Sequence, residues 1–368
     1  MAFMDYFEEL EDPRSHINKA HNLLDVLFLT ISAILSGAEG WQDIKDFGDK
    51  KQDWLKKFRP FKAGIPVDDT IARIISRVNP DKFVACFINW SNSLRVANGH
   101  ESIAIDGKTL RRSFTNGDRK SALHMISVWS DANQIVLGQF KSQGKKNEIN
   151  TVMELLDLID VKDATVTLDA MGTQKKIVKK IRVKGGHYAL PLKDNQKKMH
   201  RESEAFLHKV DVENDKGYDV DYYTETDSGH GRIEVRHYKQ VMLTDWVTEA
   251  SKWKDAKSLI KVVRERHIKD KVTKEVQIYL SDHELGVEHI AHSIRKHWGV
   301  ENQVHWRMDV TFREDESRIR RDDGAQNMAS LRRFVMNLAS LHPEKKSMKR
   351  KLKNCGWDDD FREDILFG

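Results

Sequence analysis

Three acidic residues stand where a chain could bring carboxylates together. Asp106 ends the apolar run Ser102-Ile103-Ala104-Ile105, Asp169 ends Thr165-Val166-Thr167-Leu168, and Glu301 lies in a helical stretch among Trp298, Val300 and Val304. Magnesium prefers carboxylate oxygens and retains several waters, so a few acids converging from different elements suffice to hold it. Two such ions about 4 Å apart activate a nucleophilic oxygen near neutral pH and stabilise the leaving oxygen of an in-line phosphodiester displacement. Together the acids predict a two-ion Mg2+ site, with Mn2+ as a substitute. An aspartate at a strand end is also a common cap or turn former, so each acid alone carries little weight. A rival use of the helix is zinc binding, because His297, Glu301 and His305 recur at four-residue spacing along one face. That reading lacks the signature of two histidines four apart around a glutamate and leaves the strand-end aspartates unexplained.

The surrounding pattern supplies elements to position these acids. From Leu23 to about Leu94 it predicts helices broken at Gly37 to Gly40, Pro60 to Pro66 and Pro80, a front domain that is a candidate for reading DNA or for a scaffold contact. After the strand ending at Asp106, strands are expected at Leu123 to Ser130 and Gln134 to Lys141, joined by the turn-like Asp131-Ala132-Asn133. A helix at Glu148 to Ile159, the strand ending at Asp169, a basic amphipathic helix at Thr173 to Val183 and a strand at His187 to Leu192 follow. The order strand, strand, strand, helix, strand, helix, strand, with acids ending the first and fourth strands, is that of a ribonuclease-H-like core. Alternating charge-rich strands from about Tyr222 to Ser281 form a β-rich insertion, and the core resumes with one helix from about Val287 to Trp306 carrying Glu301. The expected architecture is therefore α/β, a mixed sheet with flanking helices. Its expected divisions are an N-terminal helical domain over 1–98, a catalytic domain over 99–340 with the insertion at about 220–282, and a basic C-terminal tail over 341–368.

Composition narrows the partners. The 368 residues are 39% hydrophobic and 32% charged, enough apolar content for a sizeable core, and the net charge of +5 favours an anionic partner only mildly. Cys86 and Cys355 lie far apart and in no metal-ligand spacing, which points to reducing cytosol. The longest apolar run, Leu23 to Leu35, contains Asp25 and is too short to span a membrane. The basic run Lys345 to Lys353 after Pro343 reads as a solvated segment, with a phosphate contact as its alternative.

Several blocks stand in an order that resembles the bacterial H-repeat-associated insertion-sequence transposases. They are Gly64-Ile65-Pro66-Val67-Asp68-Asp69-Thr70, Ala104-Ile105-Asp106-Gly107-Lys108, Lys146-Asn147-Glu148-Ile149 and Leu168-Asp169-Ala170-Met171-Gly172-Thr173-Gln174. Further along come Leu192-Lys193-Asp194-Asn195-Gln196, His230-Gly231-Arg232 with Glu234 and Arg236, His297-Trp298-Gly299-Val300-Glu301-Asn302 and Asp309-Val310-Thr311-Phe312-Arg313-Glu314-Asp315. The likeness spans nearly the whole chain. It implies a DDE recombinase in which Asp106 and Asp169 are the catalytic aspartates and Glu301 the catalytic glutamate, the three acids that the residue pattern singles out. Related transposases often carry Tyr, Arg, Glu and Lys on the glutamate helix, whereas here Ile294, His297, Glu301 and Met308 correspond, with Arg295 and Arg307 as candidate replacements for the lost positive charge.

The activity expected is metal-dependent cleavage at insertion-sequence ends, freeing a 3′ hydroxyl that attacks target DNA without a covalent protein intermediate. Lys108, Arg111, Arg112, Lys193, Arg232 and Arg307 are the candidate phosphate contacts, and Asn195 and Gln196 candidate polar contacts to phosphate or base. Trp246 and Trp253 could stack on an unpaired base or fill a core. The partners expected are double-stranded DNA, as element ends and as target, and a second copy of the chain in the synaptic complex; no membrane is expected. The competing reading is a domesticated or remnant DNA-binding protein or nuclease that no longer transposes.

Overall fold

The computed structural model describes residues 3–14, 19–96, 101–114, 122–142, 147–229 and 231–368. Lys146 and His230, named in two of the sequence blocks, lie outside the described residues. Two compact units emerge, one of Met1–Val96, Gly107–Thr151 and Val300–Gly368, the other of Ala97–Asp106 and Val152–Gly299.

The first unit opens with α1 (Leu23–Leu35), α2 (Trp41–Lys50), α3 (Gln52–Lys56), α4 (Asp68–Arg77) and α5 (Pro80–Leu94). Their boundaries have local causes. The Asn22 side chain accepts from the Leu24 and Asp25 amides to start α1, and Asn79 caps α5 with Pro80 in its first turn, where a missing N–H costs nothing. Strand β1 (Ser102–Thr109) enters this unit at Gly107; its neighbour β2 (His124–Ser130) pairs antiparallel with β3 (Ile135–Ser142). α6 (Glu148–Leu158) then leads into the second unit.

The second unit holds β4 (Thr165–Leu168), α7 (Lys175–Val183), β5 (His187–Leu192), α8 (Lys197–Val212), the long strands β6 (Val220–Gly229), β7 (Arg232–Met242), β8 (Ser258–Ile268) and β9 (Lys271–Ser281), and α9 (Val287–Gly299). Its strand order is β1-β4-β5-β9-β8-β7-β6. β1, β4 and β5 run parallel, as strands joined through helices do, while β5 onward is antiparallel. The β-rich insertion expected before the glutamate helix is this β6–β9 meander. α9 lays Val287, Ile290, Ala291 and Ile294 against Ala189, Tyr238, Ile260 and Val262 to close its core.

Back in the first unit, α10 (Trp306–Val310), α11 (Gly324–Leu341), α12 (Met348–Trp357) and α13 (Asp359–Phe367) complete the chain. α11 is buried almost throughout and crosses β3, where Asn337 accepts from the Val136 amide at 2.8 Å and donates to its carbonyl at 2.7 Å. Its Phe334 meets Phe3, Phe7, Phe87 and Trp90. The terminal segment read as a solvated tail is thus helical, and Met348, Lys351, Leu352 and Cys355 form its buried face.

Candidate active site

Parallel pairing aligns Ser102 with Thr165 and runs through Ile105 with Leu168. The next residue on each strand line is an aspartate, so Asp106 and Asp169 stand side by side, about 5 Å apart in backbone; Asp169 follows the end of β4, whereas β1, expected to end at Asp106, runs on to Thr109. Asp106 is half-buried and Asp169 exposed. Asp169 leaves its strand extended and caps a 3-10 turn over Ala170–Gly172, accepting from the Gly172 amide at 2.9 Å. Gly172 is required by close approach, because a Cβ there would lie 2.7 Å from the Leu168 side chain.

Asn195 and Gln196, expected to contact DNA, hold this turn. Asn195 Nδ2 donates to the Ala170 carbonyl at 2.6 Å and Gln196 Nε2 to the Thr173 carbonyl at 2.9 Å. Lys193 is exposed, and Arg232 is exposed with its Nε 3.2 Å from Glu234. Trp253 is buried in the core, whereas Trp246 is 43% exposed. Arg295 pairs with Glu225 at 3.6 Å and with Asp227.

Glu301 belongs to the other unit and is exposed. The single helix expected to carry it is instead α9 followed by a π-helical turn over Val300–His305 and then α10. A π turn widens the helix by one residue, so the four-residue spacing of His297, Glu301 and His305 no longer marks one straight face. His297 is already engaged, its Nδ1 3.0 Å from Thr167 Oγ1, and burial holds its imidazole down to a pKa of about 4. The zinc reading of that helix therefore loses its geometric basis. Ile294 and Met308 are core residues, and Arg307 is half-buried, with burial lowering its guanidinium pKa.

Lys108, two residues past Asp106, has a different set of partners from the DNA contact expected of it. Its ammonium pairs with Asp309, stands 3.5 Å from Glu314 and 3.4 Å from the His305 carbonyl, and is 10% exposed. Glu314 is fully buried; burial pushes its carboxyl up, but the Arg333 guanidinium, 2.6 and 3.2 Å from its two oxygens, together with Lys108 and Arg332 holds it below the usual range. Lys108 thus ties the end of β1 to the turn that carries Glu301. Beside it, Glu148 reaches His124 Nε2 at 2.6 Å, and a Cβ on Gly107 would meet that nitrogen at 2.6 Å. Neither pairing has a spacing signal in the sequence, because the partners lie far apart along the chain.

Among the described residues, one further group offers converging ligand atoms: His187, Asp282 and His283, all within 4.8 Å of one another. Its carboxylate already has a cation. Arg182 stands 2.6 Å from Asp282, which also accepts from the Tyr188 amide at 2.7 Å and has His187 Nδ1 at 2.7 Å. The donor set at the aspartate pair, two carboxylates on adjacent strand lines, is the one that fits a hard divalent ion.

A DDE_Tnp_1-associated model matches residues 4–91 and the Transposase DDE domain model matches residues 97–338. The chain belongs to the DDE transposase family. It is 38% identical to "Putative transposase YncI" of Escherichia coli O157:H7 over 99% of this chain and 94% of that one. It is also 38% identical to "H repeat-associated putative transposase YhhI" of Escherichia coli (strain K12), over 99% and 97%. A likeness to a piggyBac transposase synaptic complex with hairpin DNA has a TM-score of 0.47 at 12% identity over 99% of this chain and 77% of that one. No described helix is long and apolar enough to cross a membrane.

Proposed function

We propose that this chain cuts DNA at the ends of an insertion sequence and joins the freed 3′ ends to target DNA, with Asp106, Asp169 and Glu301 as its catalytic acids. The observation that supports the reading is the parallel Ile105–Leu168 register, which is followed on each of two adjacent strand lines by an aspartate, in a chain of the DDE family. Asp106, Asp169 and Glu301 would hold two Mg2+ ions, or Mn2+ in their place, which supply activation of the attacking oxygen and charge stabilisation at the leaving oxygen. The protein's own contribution is placement. Asn195 and Gln196 fix the turn behind Asp169, and Lys108 fixes the segment behind Glu301. Two DNA ends must be held together for joining, so the working form is a homodimer on DNA in the bacterial cytoplasm.

The test is cleavage and strand transfer on labelled duplexes bearing the native element ends, in Mg2+ or Mn2+, for the wild type, Asp106→Asn, Asp169→Asn and Glu301→Gln. The expected result is metal-dependent joining that falls at least about 100-fold in each variant. Cutting without joining would replace this reading with a domesticated nuclease, and end binding without cutting with a remnant DNA-binding protein. A Glu301→Gln enzyme that still joins would remove Glu301 from the triad.

A further inference from the structure

The first unit contains an open groove of about 610 Å3 lined by Thr109, Arg111, Arg112, Phe114, Ala122, Arg318 and Arg320. Four guanidinium groups and no carboxylate line it, in a chain whose 62 basic residues are nearly balanced by 57 acidic ones. Gathering four like charges in one concavity is unfavourable unless an anion offsets them. Two segments make the wall. Residues 110–114 follow β1 directly, and Arg318 and Arg320 lie on the irregular stretch after Glu314–Glu316. Ser317 starts this stretch extended, and alternation along extended backbone turns Arg318 and Arg320 to the groove while Ile319 is not on its wall.

The segments are fastened to each other through the Nε atoms of Arg320 and Arg111. Arg320 Nε donates to the Arg112 carbonyl at 2.9 Å, and its guanidinium lies 4.5 Å from the Phe114 ring centroid, which fixes its plane. Asp315 accepts from the Arg111 amide at 3.4 Å and stands 3.3 Å from Arg111 Nε. Glu316, whose carboxyl is held below its usual range chiefly by Arg313, adds a weaker attraction to Arg112. Arg111, Arg112, Arg318 and Arg320 are all exposed, and a planar guanidinium fork matches the paired oxygens of a phosphodiester.

The geometry points to this groove as the seat of the DNA phosphodiester backbone within a few nucleotides of the reacting bond, with Arg318 and Arg320 joining Arg111 and Arg112 as its ligands. The assignment rests on the transposase reading above for the nature of the polyanion. Its reach follows from the strand, since Thr109 on the groove wall is three residues from Asp106 along β1, roughly 10 Å. Phosphate contacts of this kind position the duplex and carry no base specificity.

The test uses the full chain and a fluorescein-labelled duplex of the native element end, bound in EDTA across a salt series and followed by anisotropy. Each phosphate neutralised on duplex DNA contributes about 0.9 to the slope of log affinity against log salt. Arg112→Gln combined with Arg318→Gln should make that slope shallower by about two, and Arg112→Lys with Arg318→Lys should restore most of it. An unchanged slope in the glutamine variant would overturn the assignment. Phenylglyoxal labelling of the wild type gives an answer independent of any variant's folding. The duplex should shield Arg111, Arg112, Arg318 and Arg320 while leaving exposed Arg73 and Arg201 reactive. Equal reactivity at both sets, or equal shielding by inorganic pyrophosphate, would remove DNA as the occupant. Shielding without any cutting or joining would sink the transposase reading and leave the groove standing; cutting without shielding would do the reverse.

Discussion

At the scale of single residues, the least legible feature is what lies across from each side chain. The sequence places Lys108 beside Asp106 but carries no signal that Asp309, 201 residues away, faces it, so a buried anchor reads as a phosphate contact. Lys108→Met should lower stability by about 3 kcal/mol, the low end for breaking a buried ion pair, because Glu314 keeps Arg333. Urea denaturation measures this, and a loss under about 1 kcal/mol would return Lys108 to the surface role that its charge first suggests. Gly107 gives a second case. The His124 ring that a Cβ would strike is held by Thr109 at 2.9 Å and Glu148 at 2.6 Å, so Gly107→Ala should cost about 1–3 kcal/mol by overpacking. Adding His124→Ala should recover part of that loss, and strictly additive costs would show that the ring is not the obstacle.

Elements were far more legible than partners, because strand and helix periods are written locally. The strands carrying Asp106 and leading to Asp169, the helices α6 and α7 and the long β6–β9 meander follow the apolar pattern to within a few residues. The helices α8, α11, α12 and α13 and one π turn escaped it. The charge run at Lys345 to Lys353 hides Met348, Leu352 and Cys355 at helical spacing, and Lys351 joins their buried face by donating to the Ala339 and His342 carbonyls at 2.7 and 2.8 Å. The π turn at Val300–His305 is invisible because an apolar pattern cannot distinguish a helix with one surplus residue from a regular one. Removing that surplus by deleting Asn302 should return the segment to α register and rotate Glu301 relative to the helix that follows. Helix content by circular dichroism should hold while DNA cleavage falls at least about 100-fold. Cleavage within about twofold of wild type would mean that the widened turn has no part in presenting Glu301.

At the scale of the whole molecule, the chain passes between its two compact units four times, after Val96, Asp106, Thr151 and Gly299. A linear reading draws its boundaries where composition changes and so cannot express units interleaved in this way. It likewise cannot register a property spread over both, the burial of neutral imidazoles. Burial, aided by His187, His289 and Arg182, brings His283 down to about 3, and burial alone brings His297 to about 4. In the other unit, burial with Arg333 and Lys108 brings His305 to about 3. Each group has a folded pKa below its unfolded value of about 6.5, so between those limits the unfolded chain binds more protons than the folded one. The stability these residues contribute is therefore complete above about pH 6.5 and is lost as pH falls from there toward 3 to 4. Each histidine should lose about 1.4 kcal/mol per pH unit across that window. Denaturant midpoints should hold between pH 8 and 7 and drop steeply between pH 6.5 and 5, above the range where ordinary carboxylates titrate. His297→Gln should flatten that drop by about one proton's worth of slope, and a midpoint curve indifferent to pH across the window would show that these imidazoles are reached by water before the protein unfolds.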